Sequence, residues 1–262
     1  MNKLLSINYK FFKVEPQKLI EIINKNNDRN QIQGFEAAVS NSEEQQYLLG
    51  FAQKAKENNY ILNLHAPTLD SVVEYKNYLD FAVEVSKITN QKTNIVFHPI
   101  NAENKPKSIE ITNNYIKELL EYMLKKKYNK NIELSIENLN DMNNMKRLKK
   151  EDLIKILEQN KDLKFTYDIG HELVDGIIPK IEENILIERL NNVHIHTHLG
   201  KEDHYPVQTN VKDMVITNEM LEKISTKKRN INVALEYALD YMDGENFEEK
   251  MILLRIWLTL KK

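Results

Sequence analysis

The sequence predicts a single α/β domain, residues 1–262, folded as a (β/α)8 TIM barrel. Short β-type runs alternate with longer amphipathic segments, and eight such pairs fill the chain. The length of 262 residues is close to the ~250 that a barrel needs. An open doubly wound sheet is the alternative. That fold usually carries a glycine-rich first turn, whereas the six glycines here form no GxGxxG pattern.

The predicted strands are short apolar runs, and no low-complexity stretch separates one from the next. Strands that alternate with helices form a parallel sheet, whose carboxyl ends all lie at one edge. The predicted strands are residues 4–9, 32–39, 60–64, 93–97, 131–136, 163–167, 192–196 and 231–237.

The predicted helices follow these strands and show apolar residues at helical spacing. The first opens near Pro16, because proline suits the first turn of a helix. The second runs from about Glu43, with Tyr47 and Phe51 on one face and Ser42 as the predicted N-cap. The others are residues 71–88, 108–123, 151–158, 181–187, 218–224 and 247–260.

The composition excludes several classes of site. The chain has no cysteine, so disulfides, thiolate metal ligands and a cysteine nucleophile are excluded. The net charge of −2 gives no general attraction to nucleic acid or to an acidic membrane. The lysine runs at residues 125–127 and at Lys149 and Lys150 are interpreted as solvated helix ends. Neither a signal-peptide run nor a membrane-spanning run is present, so a cytoplasmic protein is expected.

Six consecutive predicted strands end in a side chain that can bind a metal. In a parallel barrel these ends share one rim, which is where barrel active sites are built. Imidazoles and carboxylates gathered there would repel one another or lack partners unless a cation binds them, and this donor set suits Zn, Mn, Co or Fe. The strand-end residues are His65, His98, Glu137, Asp168 with His171 three positions on, His194 and Glu236.

Strand seven carries further histidines. The period-two spacing of His194, His196 and His198 predicts that all three face one side of a strand. His194 is nearest the strand body, whereas His196 and His198 are interpreted as substrate-facing or solvated. In the following loop Glu202 and His204 could form another ligand pair or a polar surface loop. Lys201 beside them is interpreted as a surface lysine.

Taken in order, these motifs resemble the xylose-isomerase-like barrel superfamily, which groups sugar and sugar-phosphate isomerases and epimerases with the apurinic-site endonucleases. The resemblance spans predicted strands two to eight. It rests on HAP at His65, FHP at His98, IEN at Glu137, D-x-x-H at Asp168 and His171, VHIH at His194, E-x-H at Glu202 and His204, and LEY at Glu236.

The resemblance implies one to three divalent ions, Zn²⁺ or Mn²⁺. Glu137, Asp168, His194 and Glu236 resemble the shared metal ligands of the superfamily. His65 and His98 resemble extra ligands of the multi-zinc nucleases, with Glu137 bridging. His171, Glu202 and His204 resemble the ligands of a third ion, although the nucleases usually have Asp where Glu202 stands. Substrate contacts are expected from His171, His196 and Asn138.

Other features depart from the nucleases. Strand seven continues as His-Thr-His-Leu rather than Asn-Asp-Ser-Lys, and strand eight ends in LEY rather than ETP. The first strand lacks an early histidine, and no glycine-rich segment follows His204. Since affinity for DNA comes largely from phosphate neutralisation, the balanced charge also argues against it.

Three functions therefore remain open, in descending order. The first is a metal-dependent isomerase or epimerase of a carbohydrate, with Glu137 and Glu236 as catalytic base and acid. The second is a multi-zinc phosphodiesterase acting on abasic DNA, for which nucleic acid would be the partner. The third is a degenerate barrel that binds without catalysis. The sequence specifies neither the sugar nor the oligomeric state.

Overall fold

The computed structural model describes residues 1–8, 17, 20, 21, 24, 25, 32–141, 145–200 and 202–237. The predicted helices near Pro16 and at residues 247–260 fall largely or wholly outside these residues, and so does Lys201. No helix within the described part of the chain combines the length and the apolar character needed to cross a bilayer.

Eight parallel strands close into a barrel, as predicted. Every neighbouring pair is parallel, and the first strand pairs with the last. The barrel strands are β1 (Asn2–Asn8), β2 (Gly34–Ala38), β3 (Ile61–His65), β4 (Thr93–Phe97), β5 (Ile132–Glu137), β6 (Lys164–Asp168), β7 (Leu190–Ile195) and β10 (Asn232–Leu235).

Between β7 and β10 the chain forms an antiparallel hairpin, β8 (Thr197–Leu199) and β9 (Glu202–Tyr205), which the sequence did not predict. The described helices are α1 (Ser42–Glu57), α2 (Val72–Thr89), α3 (Lys105–Lys126), α4 (Lys150–Gln159), α5 (Ile169–Val174), α6 (Asn184–Arg189) and α7 (Val211–Lys227). The short helix α5, which follows β6 directly, was also not predicted.

Several predicted helix starts were wrong, because asparagine caps lie earlier than the apolar periodicity. Asn41, not Ser42, caps α1 by accepting from the Glu44 backbone N–H at 3.0 Å. Asn104 caps α3 three residues before the predicted start, and Asn210 caps α7 well before predicted residue 218. An asparagine side chain at the N-cap accepts from an otherwise unpaired N–H of the first turn, which fixes where each helix begins.

The apolar core lies between the strands and the helices. Strand residues such as Phe35 and Phe165 pack against helix residues such as Phe51 and Ile156, all of them buried. The barrel interior is polar instead. Beneath the rim, Ser135 donates to Asn94 Oδ1 at 2.9 Å. Barrel interiors are usually filled by Val, Ile and Leu, so the alternation in these strands places an unusually polar layer inside.

The two lysine runs differ in exposure. Lys125, Lys126 and Lys127 are exposed, as predicted. The same prediction was wrong for Lys150, whose residue is 2% exposed, because its ammonium pairs with buried Glu172. Lys149 pairs with Asp141 and Asp175 rather than standing free in solvent.

Candidate functional site

The strand-end residues meet at the carboxyl rim of the barrel. His65, Glu137 and Asp168 are the last residues of β3, β5 and β6. His194 is the penultimate residue of β7, and Glu236 directly follows β10. Because the strands are parallel and closed, residues far apart in sequence come within a few ångströms of one another at this rim.

We call Glu137, Asp168, His194 and Glu236 the central group. One potential ligand atom from each lies within 4.8 Å of all the others. His194 Nδ1 is 2.8 Å from Glu236 Oε2, 3.3 Å from Glu137 Oε1 and 3.8 Å from Asp168 Oδ2. The side chains of Glu137, Asp168 and His194 are fully buried.

The central group fits a divalent cation. Glu137 Oε1, His194 Nδ1 and Glu236 Oε2 are buried atoms without a hydrogen-bond partner among the described residues, although they face one another. Buried polar atoms are normally paired, and buried charges need a partner or a metal. Carboxylate and imidazole ligands suit Zn, Mn, Co or Fe, so one cation would satisfy these atoms together.

A second group joins the first at Glu137. His65 Nε2 and His98 Nε2 lie 3.2 and 3.4 Å from Glu137 Oε2. The two imidazole rings meet edge to face, with their centroids 4.9 Å apart. Since Glu137 directs Oε1 to the central group and Oε2 to these histidines, its carboxylate lies between two possible cation positions, as the resemblance implied.

The third group contains His171, His196 and His204. The His196 and His204 rings stack at 4.3 Å, and His196 Nε2 lies 3.2 Å from Asp168 Oδ1. The resemblance implied Glu202 here, but the side chain of Glu202 is outside the described residues. His196 instead supplies the third imidazole. Gly170 makes room for it, because a Cβ there would come within 2.4 Å of His196 Nε2.

His198 does not join any of these groups. The prediction that His194, His196 and His198 share one strand face was wrong, because β7 ends at Ile195 and His198 belongs to β8. Its Nδ1 lies 3.0 Å from the Gly200 carbonyl oxygen, and its side chain is 25% exposed.

The family model described as Xylose isomerase-like TIM barrel matches residues 17–256. The chain belongs to this family. Its barrel and the order of its strand-end residues agree with that membership. No curated protein sequence matches the chain significantly.

Solved structures similar to this family member include three epimerases or epimerase-like proteins. A D-tagatose 3-epimerase-like protein is 16% identical with a TM-score of 0.68, covering 98% of this chain and 97% of its own. D-psicose 3-epimerase from Clostridium cellulolyticum H10 is 14% identical, with a TM-score of 0.65 and the same coverage. The 3-keto-D-glucoside 4-epimerase from E. coli is 14% identical, with a TM-score of 0.60, covering 98% and 99%. At these identities the likeness establishes the fold.

Opposed charges shift the pKa values at the rim of this family member. Burial raises the pKa of Glu137 and of Glu236, but contacts with His194 and other histidines outweigh it and hold both pKa values well below the usual range. Burial lowers the pKa of His65, yet Glu137 and Glu236 raise it to about 9. Without a cation, protonated histidines therefore balance the carboxylates, so cation binding would release protons.

His204 and His171 differ in pKa although they share a group. Burial lowers the pKa of His204, but Asp203, whose Oδ1 lies 2.9 Å from Nδ1, and Glu236 raise it to about 11. Burial lowers the pKa of His171, and the neighbouring imidazoles add to that effect. His171 Nδ1 lies 2.9 Å from the Asn138 carbonyl oxygen, which leaves its Nε2 for another partner.

Asn138, a predicted substrate contact, is buried. Its amide nitrogen donates to the Asp168 carbonyl oxygen and its Oδ1 accepts from the Asp168 N–H, both at 2.9 Å. Two residues were missed. Glu36 on β2 lies 2.7 Å from His194, and Asp203 contacts His204. An acid inside the apolar run Gly-Phe-Glu-Ala-Ala was the available signal for Glu36.

Proposed function

We propose that the protein is a divalent-metal-dependent isomerase or epimerase of a sugar or sugar phosphate. The observation that carries this proposal is the convergence of Glu137 and Glu236 on His194 Nδ1 from β5 and β10, strands separated by β6 and β7. Two carboxylates that approach one small space from different sides suit proton removal and return at one carbon. The titles of similar solved structures name ketose epimerases.

Each rim residue has a part in this proposal. Asp168 and His194 hold the cation together with the two glutamates. A bound divalent ion supplies a Lewis acid that polarises a substrate carbonyl and acidifies the adjacent C–H. One of Glu137 and Glu236 removes the proton as general base, and the other returns one as general acid. The lowered pKa values of both glutamates keep them ionised at neutral pH, as a base requires. His171 orients a substrate hydroxyl through Nε2.

The test uses Glu137→Gln and Glu236→Gln with a panel of ketoses and ketose phosphates in deuterated buffer. Each variant should lose solvent-deuterium incorporation at the carbon next to the carbonyl, because glutamine cannot act as a base. His198→Gln, at a rim histidine outside the three groups, should retain it. Full exchange in either glutamine variant would end the assignment.

The second and third groups favour one further candidate, a multi-metal phosphodiesterase. His65 and His98 around Glu137, and His171 with His196 and His204, offer two more sets of ligand atoms. Clustered ions generate hydroxide at neutral pH and stabilise a leaving oxygen. Element analysis showing two or three ions per chain, with cleavage of an abasic duplex, would favour this candidate. One ion and no nicking would favour the isomerase.

A further inference from the structure

Glu36 occupies the interior of the barrel beneath the central group. It is the middle residue of β2, in register with Ser6 on β1 and Asn63 on β3, and it is 0% exposed. Neighbours in register on parallel strands face the same side, so the polar trio points inward together. A carboxylate buried this deeply is costly unless a charged or hydrogen-bonding partner compensates it.

The compensation comes from β7, on the other side of the interior. Glu36 Oε1 lies 2.7 Å from His194 Nε2, and Glu36 Oε2 accepts from the Asn192 amide nitrogen at 2.8 Å. The first contact is a close ion pair without full hydrogen-bond alignment. Among the described residues, the ion-pair partner of Glu36 is His194.

His194 thus has one ring nitrogen for each environment. Nδ1 faces the carboxylates of the central group, and Nε2 faces Glu36. A neutral imidazole can bind a cation through Nδ1 when its proton is on Nε2, and a carboxylate at Nε2 favours that tautomer. Without Glu36, the proton could instead reside on Nδ1, facing Glu236, with Asn192 donating to Nε2 across 3.0 Å.

We propose that Glu36 is a positioning residue that holds the ring proton of His194 on Nε2 and so sets the affinity of the central group for a divalent cation. The proposal rests on the proposed function in one respect, that His194 binds the cation. Glu36 acts through His194 and touches neither substrate nor cation. A carboxylate behind a ligating histidine also fixes the ring orientation and makes the imidazole a stronger donor.

Burial alone does not explain the residue. A well-packed apolar side chain of similar volume in place of a buried charge is often neutral or stabilising. A purely structural role would therefore be met as well by methionine, whereas a role in setting the tautomer of His194 requires an acceptor. The two variants Glu36→Met and Glu36→Gln separate these roles, since glutamine keeps an acceptor oxygen but loses the charge.

The experiment measures cation affinity and the tautomer of His194 in the full chain. Calorimetric titration with Zn²⁺ and with Mn²⁺ should give a dissociation constant about 10- to 100-fold higher for Glu36→Met than for the wild type, with Glu36→Gln between them. Long-range ¹H–¹⁵N correlation spectra of the cation-free protein should show the His194 ring proton on Nε2 in the wild type near pH 8. They should show it shifted toward Nδ1 in Glu36→Met.

The matched control is Asn63→Leu, a buried polar residue of the same interior layer whose Oδ1 accepts from the Asn94 N–H at 3.2 Å. It should keep wild-type affinity and the wild-type tautomer. If Glu36→Met does not fold, Glu36→Gln alone must show weaker binding. Tight wild-type binding that both variants reproduce overturns this inference and leaves the proposed function standing. Failure of the wild type to bind any cation overturns both.

Discussion

Two buried polar clusters meet at α5, and they differ in how completely they satisfy themselves. His171 belongs to the third group at the rim, whereas the next residue, Glu172, belongs to the Lys150 cluster, defined as Lys150, Tyr167 and Glu172. There Lys150 Nζ contacts Glu172 Oε1, and the Tyr167 hydroxyl contacts Glu172 Oε2. None of these atoms is among the buried polar atoms that lack a partner in the described residues.

The central group is different, because three of its buried ligand atoms have no hydrogen-bond partner there. Both clusters are deeply buried and rich in charge, so burial and charge alone do not distinguish a ligand site from a structural ion pair. The distinguishing feature is the unmet bonding capacity of atoms that converge on one point. A cluster that pairs all its groups internally holds the fold together, and one that does not is suited to bind a ligand.

The largest expected effect comes from breaking the satisfied cluster. Lys150→Met leaves Glu172 buried without its cation, which should reduce the free energy of unfolding by about 3–5 kcal/mol. Urea denaturation of the cation-free protein measures it. Cation affinity should stay near the wild-type value, because Lys150 does not contact the central group. Wild-type stability in this variant would show that the ion pair does not hold the fold, and the comparison would fail.

The double variant Lys150→Met with Glu172→Leu is the control for that prediction. Replacing both charges by apolar groups removes the unpaired carboxylate, so most of the lost stability should return. If the double variant is as unstable as the single one, the loss came from packing rather than from the unpaired charge.

The sequence predicted the barrel well because its signal is local. Apolar runs of strand length alternate with amphipathic segments, and this pattern survives errors of several residues at element ends. The strand-end positions of His65, Glu137, Asp168 and Glu236 follow from the same alternation. In a closed parallel barrel, knowing that a residue ends a strand is enough to place it at the rim.

Cross-barrel contacts could not be predicted in this way. Glu36 and Asn192 are 156 positions apart, and an inward-facing glutamate has the same local pattern as one that faces solvent. Lys150 shows the same limit, since its pairing with Glu172 depends on where α4 meets α5. His196 turns into the site because β7 ends one residue before it, and strand ends are among the least certain features of a sequence.

An intermediate effect is expected from satisfying the central group. A cation at 100 times its dissociation constant should stabilise the folded protein by about 2.7 kcal/mol. For a chain of this size that raises the melting temperature by roughly 5–10 °C. Thermal melts with and without Zn²⁺ or Mn²⁺ measure the shift, which a chelator should reverse. Glu137→Gln should lose most of the shift, and Lys150→Met should retain it. An equal shift in Glu137→Gln and in the wild type would mean that the cation binds elsewhere.

The smallest expected effect tests how much of the satisfied cluster depends on its hydroxyl. Tyr167→Phe removes one donor to Glu172 while the ring stays packed against Phe165, with centroids 6.0 Å apart. Glu172 keeps Lys150, so the carboxylate remains paired, and the free energy of unfolding should fall by about 1.5 kcal/mol. Urea denaturation beside Lys150→Met gives the ratio of the two losses. Equal losses would show that Glu172 needs both partners, and that pairing with a single cation does not satisfy a buried carboxylate at this position.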